Sequence, residues 1–489
     1  MAFKTVAKNG VVGAVAWSAL RSWGTRVATL LVFFILTRIL NPEEIGLISY
    51  ILGWLMLLAV FADLGLAEYI VYNHDSPRLT ELGIWWFQVI VSFLITLSLL
   101  GLLLTGFINP DKTSPDAVLA MLILAFTLPI SAAAKIPEAL LRRQMDYKGL
   151  AIRSLVAISV SSILAIALAL AGFGIWSLVF KQVTEVVIDA FYCFKLSKWR
   201  PSFHFEISYL KNALQGGWGI VSSRVLDVLS QSADTLIIGS MFGMRDLGFY
   251  AMGKKIFQVL NDGVLQAVTG VIASAFGRVQ NDKQRLKALF LTSVKFAALI
   301  TAPVFMMAIA LSPDWVPIVF GAKWTTSAPI AQILFLTGLV AGYGHLNGFV
   351  LLANNRNKAF FVLMLANTIV SLSLLAVLSQ FGLLAAAAAG PIKILLMFPA
   401  SLWLSRRLID FTLVEYFSAL QAAAVVTCVI ALAWLFVHYL FTISFEQLPA
   451  VTVAISKAII IGGVFLATIR LFYWQEIVQL RQDLRTQLS

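Results

Sequence analysis

Fourteen stretches of about 20 predominantly apolar residues follow one another along the chain, separated by short polar connections. A stretch of that length crosses the hydrocarbon core of a bilayer as one helix. The sequence therefore predicts an all-α, polytopic membrane protein. The approximate span limits are 12–38, 46–72, 84–107, 117–135, 150–171, 175–196, 212–240, 246–272, 288–311, 328–353, 359–379, 383–405, 415–439 and 449–472. An even number of crossings places both termini on the same side. Composition agrees: 60% of the 489 residues are hydrophobic, only 12% are charged, and mean hydropathy is +0.90.

The net charge of +12 raises the question of a nucleic-acid partner, and the distribution of the charges answers it. With the N-terminus inside, the cytoplasmic connections collect most of the Lys and Arg, among them Lys4, Lys8, Lys135, Arg142, Arg143, Arg406, Arg407, Arg481 and Arg485. The opposite side holds only Arg38, Lys112, Arg245 and Lys323. This is the asymmetry that orients membrane proteins, so no nucleic acid is required. Trp85, Trp86, Trp176, Trp199, Trp315, Trp324 and Trp474 fall near span ends and predict an interfacial aromatic belt. The apolar run after Lys4 and Lys8 is interrupted by arginines and lacks a small-residue cleavage site, so it reads as a retained first helix. Cys193 and Cys428 are far apart and suggest neither disulfide nor metal.

A repeat recurs at an offset of about 200 residues. The "EIGL" of 44–47 returns as the "DLGF" of 246–249, Trp17 as Trp218, and "FGI" at 173–175 as "FGL" at 381–383. These matches predict two six-helix lobes and a final helix pair, with divisions at 1–200, 201–408 and 409–489. Lobes of even span number share one orientation, and substrate sites in such transporters lie at the lobe interface near the midplane.

Charge inside the spans marks the candidate site, because a charge at the bilayer centre costs roughly 3 kcal/mol even on lenient scales. At 100° per residue, Ser18, Ser22, Thr25 and Thr29 form a stripe on the first helix, flanked by Arg21 and Arg26. In the seventh span Arg224, Asp227, Gln231 and Asp234 share one arc, with Ser223 and Ser230 at its edge. The eighth adds Lys254, Lys255 and Asp262, and the second adds Asp63 and Glu68. Two readings compete. Arg21, Arg26, Arg224, Lys254 and Lys255 line a wet, cationic cavity that receives an anionic group, for which the Arg fork is suited. Alternatively they pair across helices with Asp63, Asp227, Asp234 or Asp262, which are also candidates for ion coupling. Lys181, Glu185 and Asp189, at i, i+4, i+8, read as a locally paired structural stripe. Glu68 reads as interfacial, and Lys457 as a snorkelling lysine.

Other chemistry is not signalled. His74, His204, His345 and His438 lack zinc-ligand spacing, and no phosphate-binding glycine loop is present, so no metal or cofactor is expected. The rim segments 109–116 and 312–324 carry carboxylates, but neither is long or shows an acid/base pair, which disfavours an enzyme.

The phrases "DLGLAEYIV" (63–71), "LLRRQMDYKGLA" (140–151), "LGFYAMGKKI" (247–256), "AFGRVQND" (275–282) and "VPIVFGAKW" (316–324) resemble the Wzx-type polysaccharide flippases of the WzxC-like branch. That branch belongs to the multidrug/oligosaccharidyl-lipid/polysaccharide exporter superfamily. The resemblance implies fourteen helices in two lobes and translocation of an undecaprenyl-pyrophosphate-linked oligosaccharide across the bacterial inner membrane. A polysaccharide polymerase and a chain-length regulator are expected partners and the chain is expected to be a monomer, while the even span count and the charge asymmetry place both termini in the cytoplasm. The alternative is a drug or organic-cation antiporter of the same superfamily, which would want an acidic or aromatic pocket.

Overall fold

The structure is a computed structural model. It describes residues 2–73, 76–105, 115–203, 207–279, 282–344, 346–354, 356–444 and 449–473. Lys112, His74, His204, His345, Trp474, Arg481 and Arg485 lie outside the described residues, as do the side chains of Lys4, Lys8, Ser18, Trp218 and Ser223.

The described residues are built of α-helices with short 3-10 turns and one π-helical turn, and they contain no strand. In chain order the α-helices are α1 (Ala2–Ile39), α2 (Pro42–Asp63), α3 (Leu66–Tyr72), α4 (Arg78–Leu104), α5 (Pro115–Ala125), α6 (Thr127–Arg143), α7 (Tyr147–Leu170), α8 (Ile175–Ser197) and α9 (Ile207–Phe242). They continue as α10 (Met244–Val279), α11 (Lys283–Phe320), α12 (Ser327–Gly344), α13 (Asn347–Ala353), α14 (Asn357–Leu378), α15 (Leu383–Ile409), α16 (Leu413–Ser444) and α17 (Ala450–Thr468).

Among the described residues, eleven helical segments are long and apolar enough to cross a membrane. The expected spans that fall outside this set are α8, α9 and α10, of 23, 36 and 36 residues. These helices have the length of a span; what they carry in addition is charge, in Lys181, Glu185 and Asp189, in Arg224, Asp227 and Asp234, and in Lys254, Lys255 and Asp262.

Helix limits follow local chemistry. Pro42 takes the first helical position of α2, and the Asn41 N–H donates to Glu44 Oε2 at 2.8 Å, half of a reciprocal cap. Asp146 accepts from the Gly149 N–H at 2.9 Å to start α7, and Asp282 accepts from Gln284 and Arg285 at 3.1 Å to start α11. The second span breaks at Leu64 and Gly65, with φ of 45° and 67°. That left-handed step leaves Asp63 at the end of α2 and carries Glu68 onto the separate α3.

The chain forms two compact units, Met1–Gly248 and Phe249–Ser489. In the first, one core joins α2, α4, α5 and α8 through Ile51, Leu99, Met121 and Val179, and another joins α3, α4 and α6 through Ile70, Ile84 and Ile136. In the second, Phe290 of α11 packs with Phe411 and Tyr416, whose rings stack with centroids 5.6 Å apart. Ala310, Val426, Ile430 and Ile461 bring α16 and α17 onto the same helix. Without a strong hydrophobic drive between helices in lipid, close backbone approach and van der Waals contact hold such bundles. Gly342 packs on Thr301 and Gly338 on the Phe305 ring, where any Cβ would collide.

Several expected aromatic-belt residues are structural. Trp324 is buried, Trp85 Nε1 donates to the Ala133 carbonyl at 2.9 Å, and Trp199 Nε1 donates to Glu81 Oε2 at 3.0 Å. A hydrogen-bonding ring nitrogen inside the protein serves packing rather than the interface.

Candidate functional site

Four helices of the first unit line a partly open polar chamber of about 360 Å³. Each contributes a stripe at helical spacing: Arg21, Thr25 and Thr29 from α1; Ser131, Lys135 and Glu138 from α6; Ser154 from α7; Gln182, Glu185 and Asp189 from α8. Thr25 and Thr29 donate their hydroxyl hydrogens back to Arg21 and Thr25 carbonyls at 2.7 Å, so their lone pairs remain for the chamber.

Arg153 of α7 organises the charges behind this wall. Its side chain is 4% exposed, which makes full pairing obligatory. Nη2 lies 3.2 Å from Glu138 Oε1, Nε lies 3.0 Å from Asp189 Oδ1, and Nη1 donates to Cys193 Sγ at 2.7 Å. The Nε contact is an ion pair without hydrogen-bond alignment. Arg21 Nη2 approaches the same Glu138 oxygen more loosely, at 3.8 Å. Lys181 and Glu185 pair at 2.6 Å on one face of α8, as their spacing predicts. Asp189, however, leaves that local stripe for Arg153.

A second, much smaller pocket, of about 20 Å³, adjoins α2, α4 and α6. Asp63 accepts there from Gln88 Nε2 at 2.8 Å, and Ser92, Ser131 and Lys135 complete the polar lining. Ser131 and Lys135 line both spaces.

The other expected site residues are not among those that line this chamber. Arg26 is half-buried on α1 with its guanidinium 5.9 Å from the centroid of the exposed Trp23 ring, and is not part of the chamber lining. Arg224 of α9 is half-exposed and lies 3.7 Å from Asp227, which also accepts from Gln231 Nε2 at 2.9 Å. Asp234 accepts from the adjacent Thr235 N–H at 2.7 Å. Lys254, Lys255 and Asp262 are half-buried on α10 and belong to the second unit.

That unit holds its own cavity of about 400 Å³, mostly apolar, lined by Phe360, Leu363, Met364, Met397 and Phe398 with Lys393 and Asn367 as polar members. Lys457 is not a snorkelling residue. It is 5% exposed, and its Nζ lies 3.0 and 3.1 Å from the two carboxylate oxygens of Asp314. Glu68, expected to be interfacial, forms a two-pronged pair with Arg142 at 2.8 and 3.1 Å.

Arg153, Glu138 and Lys135 escape a reading of the sequence for different reasons. Arg153 is a single charge in an otherwise apolar span, and that isolation is itself a usable signal. Glu138 and Lys135 fall at or beyond the fourth span's expected end at 135, whereas α6 continues to Arg143. Pro137 lies inside that helix without ending it.

The fold and this chamber define a class: a helical, multi-pass membrane protein with an ion-lined space inside a bundle. The chain matches the polysaccharide biosynthesis protein family over residues 35–329, more than half its length, and belongs to that family. It is 26% identical over 337 residues to the succinoglycan biosynthesis transport protein ExoT of Rhizobium meliloti (strain 1021), covering 68% of this chain and 66% of that protein. It is 23% identical over 356 residues to the lipopolysaccharide biosynthesis protein WzxC of Escherichia coli (strain K12), covering 71% of each, as the resemblance in the motifs implied. In fold it is similar to the lipid II flippase MurJ in an inward closed conformation, with a TM-score of 0.71, 13% identity, and coverage of 94% of this chain and 99% of that one.

Proposed function

We propose that the chain is a flippase that moves an undecaprenyl-pyrophosphate-linked oligosaccharide across the bacterial inner membrane by alternating access, for export of a cell-surface polysaccharide. The observation that carries this reading is the chamber itself: Arg21, Lys135, Glu138, Glu185 and Asp189 surround about 360 Å³ of space inside helices otherwise built for lipid. Groups of that kind mark substrate and ion pathways. Family membership and the relatives' names point the same way.

In this proposal α8, α9 and α10 cross the membrane with the eleven apolar spans, giving fourteen, with both termini cytoplasmic. The lobes are residues 1–200 and 201–408, and 409–489 form the last helix pair. The chain is a monomer that supplies a polysaccharide polymerase and its chain-length regulator. The substrate's diphosphate engages Arg21, Arg26, Arg224, Lys254 and Lys255 in the course of transport. Asp63, Asp227, Asp234 and Asp262 pair with these cations or couple an ion. The substrate must bind both end states with similar strength, or release would stall.

A second reading, a drug or organic-cation antiporter, draws on the three carboxylates of the chamber, Glu138, Glu185 and Asp189. Polymer export separates the two. Arg21→Gln and Arg224→Gln are each expected to abolish export while membrane levels of the protein stay normal. Unchanged export from both variants, with altered resistance to cationic dyes, would select the antiporter.

A further inference from the structure

Where α8 ends, the chain leaves it through Lys198, whose φ of 55° is left-handed, and then runs as an irregular segment along the start of α4. That segment is firmly tied. The buried Trp199 donates its Nε1 hydrogen to Glu81 at 3.0 Å, and Glu81 in turn pairs with Arg143 at 2.9 Å. Arg78 Nη2 donates to the Arg200 carbonyl at 3.3 Å, and Trp86 Nε1 donates to the Ser202 carbonyl at 2.9 Å. Arg78, Glu81 and Trp86 all belong to α4.

What the tied segment turns outward is cationic and aromatic. Lys198 and Arg200 are exposed, as is Arg78 beside them. Among the described residues, none of these three forms an ion pair, whereas Arg142 and Arg143 are taken by Glu68 and Glu81. Phe203 is 90% exposed, yet its ring is held against Trp86, with centroids 5.4 Å apart. Arg78 opens α4, one of the helices long and apolar enough to cross a membrane, so the corner lies at a span end. At that depth an outward aromatic ring meets the glycerol and acyl boundary, and cations meet lipid phosphate. The charge asymmetry that orients a membrane protein asks only for cations in a connection. It does not ask for a backbone fixed by hydrogen bonds or for an outward ring beside the charges.

We propose that Arg78, Lys198, Arg200 and Phe203 form a docking site for one anionic phospholipid of the surrounding leaflet, with its phosphate at the cations and the root of an acyl chain against Phe203. The occupant is a resident membrane lipid rather than the transported molecule, because none of the four residues lines the chamber. The site stands apart from the flippase reading.

The test uses the purified full-length protein in detergent, with dioleoylphosphatidylglycerol, dioleoylphosphatidylcholine, glycerol 1-phosphate and undecaprenyl pyrophosphate as probes. Native mass spectrometry counts retained lipid, and thermal unfolding reads stabilisation. Phosphatidylglycerol is expected to be retained and to raise the unfolding midpoint; phosphatidylcholine and glycerol 1-phosphate are not. Lys198→Asn with Arg200→Gln removes two exposed charges while keeping a residue that tolerates the left-handed turn, and should lower retention at least fivefold. Phe203→Ser, at a side chain outside the core, should lower it as well. Arg406→Gln with Arg407→Gln removes the same charge from the end of α15 and should leave retention unchanged. Four results overturn the site: no preference of the wild type for phosphatidylglycerol, equal retention by the Lys198 and Arg200 double variant, an equal loss in the α15 control, or equal stabilisation by glycerol 1-phosphate. Displacement of phosphatidylglycerol by equimolar undecaprenyl pyrophosphate overturns the choice of a resident lipid.

Discussion

Gly46 and Gly248 lie against one another's helix starts. A Cβ on Gly46 would collide with the Met244 carbonyl oxygen and stand 2.8 Å from the Gly248 nitrogen, and one on Gly248 would collide with the Pro42 carbonyl. The starts of α2 and α10 thus meet backbone to backbone within the first unit, an approach that small residues permit. Gly46→Ala and Gly248→Ala are each expected to cost about 3 kcal/mol, the upper end of ordinary overpacking, because backbone cannot yield as a side chain does. Thermal unfolding in detergent and the level of protein in membranes measure it; wild-type values for both variants would remove the contact.

Lys457 and Asp314 are separated by 143 residues and pair inside the second unit. Removing Lys457 leaves the partly buried Asp314 carboxylate without its counter-charge, at a cost up to the about 3–5 kcal/mol of a fully buried pair. Lys457→Met should lower the unfolding midpoint strongly, and the double change Lys457→Met, Asp314→Leu should restore most of it. A double variant no better than the single one would show that packing, not charge, is at stake.

Arg153 is the hub of the chamber wall, and its loss exposes two carboxylates at once. Arg153→Met is expected to reduce stability by at least as much as breaking a single buried pair, about 3–5 kcal/mol. Arg153→Lys should recover only part, since a point charge cannot meet Glu138, Asp189 and Cys193 from one planar group. Full recovery by lysine in an unfolding assay would contradict the three-way arrangement.

Lys181 and Glu185 provide the contrast. They are one turn apart on α8 and part-exposed to the chamber, so Glu185→Gln should cost below about 1 kcal/mol. A loss comparable to that of Arg153→Met would mean that Glu185 neutralises more than its neighbour.

Much of the fold is legible along the chain because helix length, caps and periodicity are local. Asn41, Pro42 and Glu44 announce α2, and the i, i+4 spacing of Lys181 and Glu185 already contains their pair. The left-handed step at Leu64 and Gly65 was hidden inside one apolar run, since the run stays hydrophobic through the break.

The site divides along the same line. The stripe of Arg21, Thr25 and Thr29 is periodic within one helix, and it lines the chamber. Arg26, five residues on, lies at the other edge of that arc, against Trp23, because a helix turns by about 140° over that interval.

By itself, then, the sequence determined that the chain is an all-helical, multi-pass membrane protein, and on which helix faces much of the charge would be found. Only the tertiary structure decided which charges meet: Arg153 with Glu138 and Asp189, Lys457 with Asp314, and Glu68 with Arg142. The physical reason is range. Periodicity is set by the 3.6-residue turn of a single helix, while an ion pair between helices depends on the rotation and close approach of two cylinders, which no local pattern records.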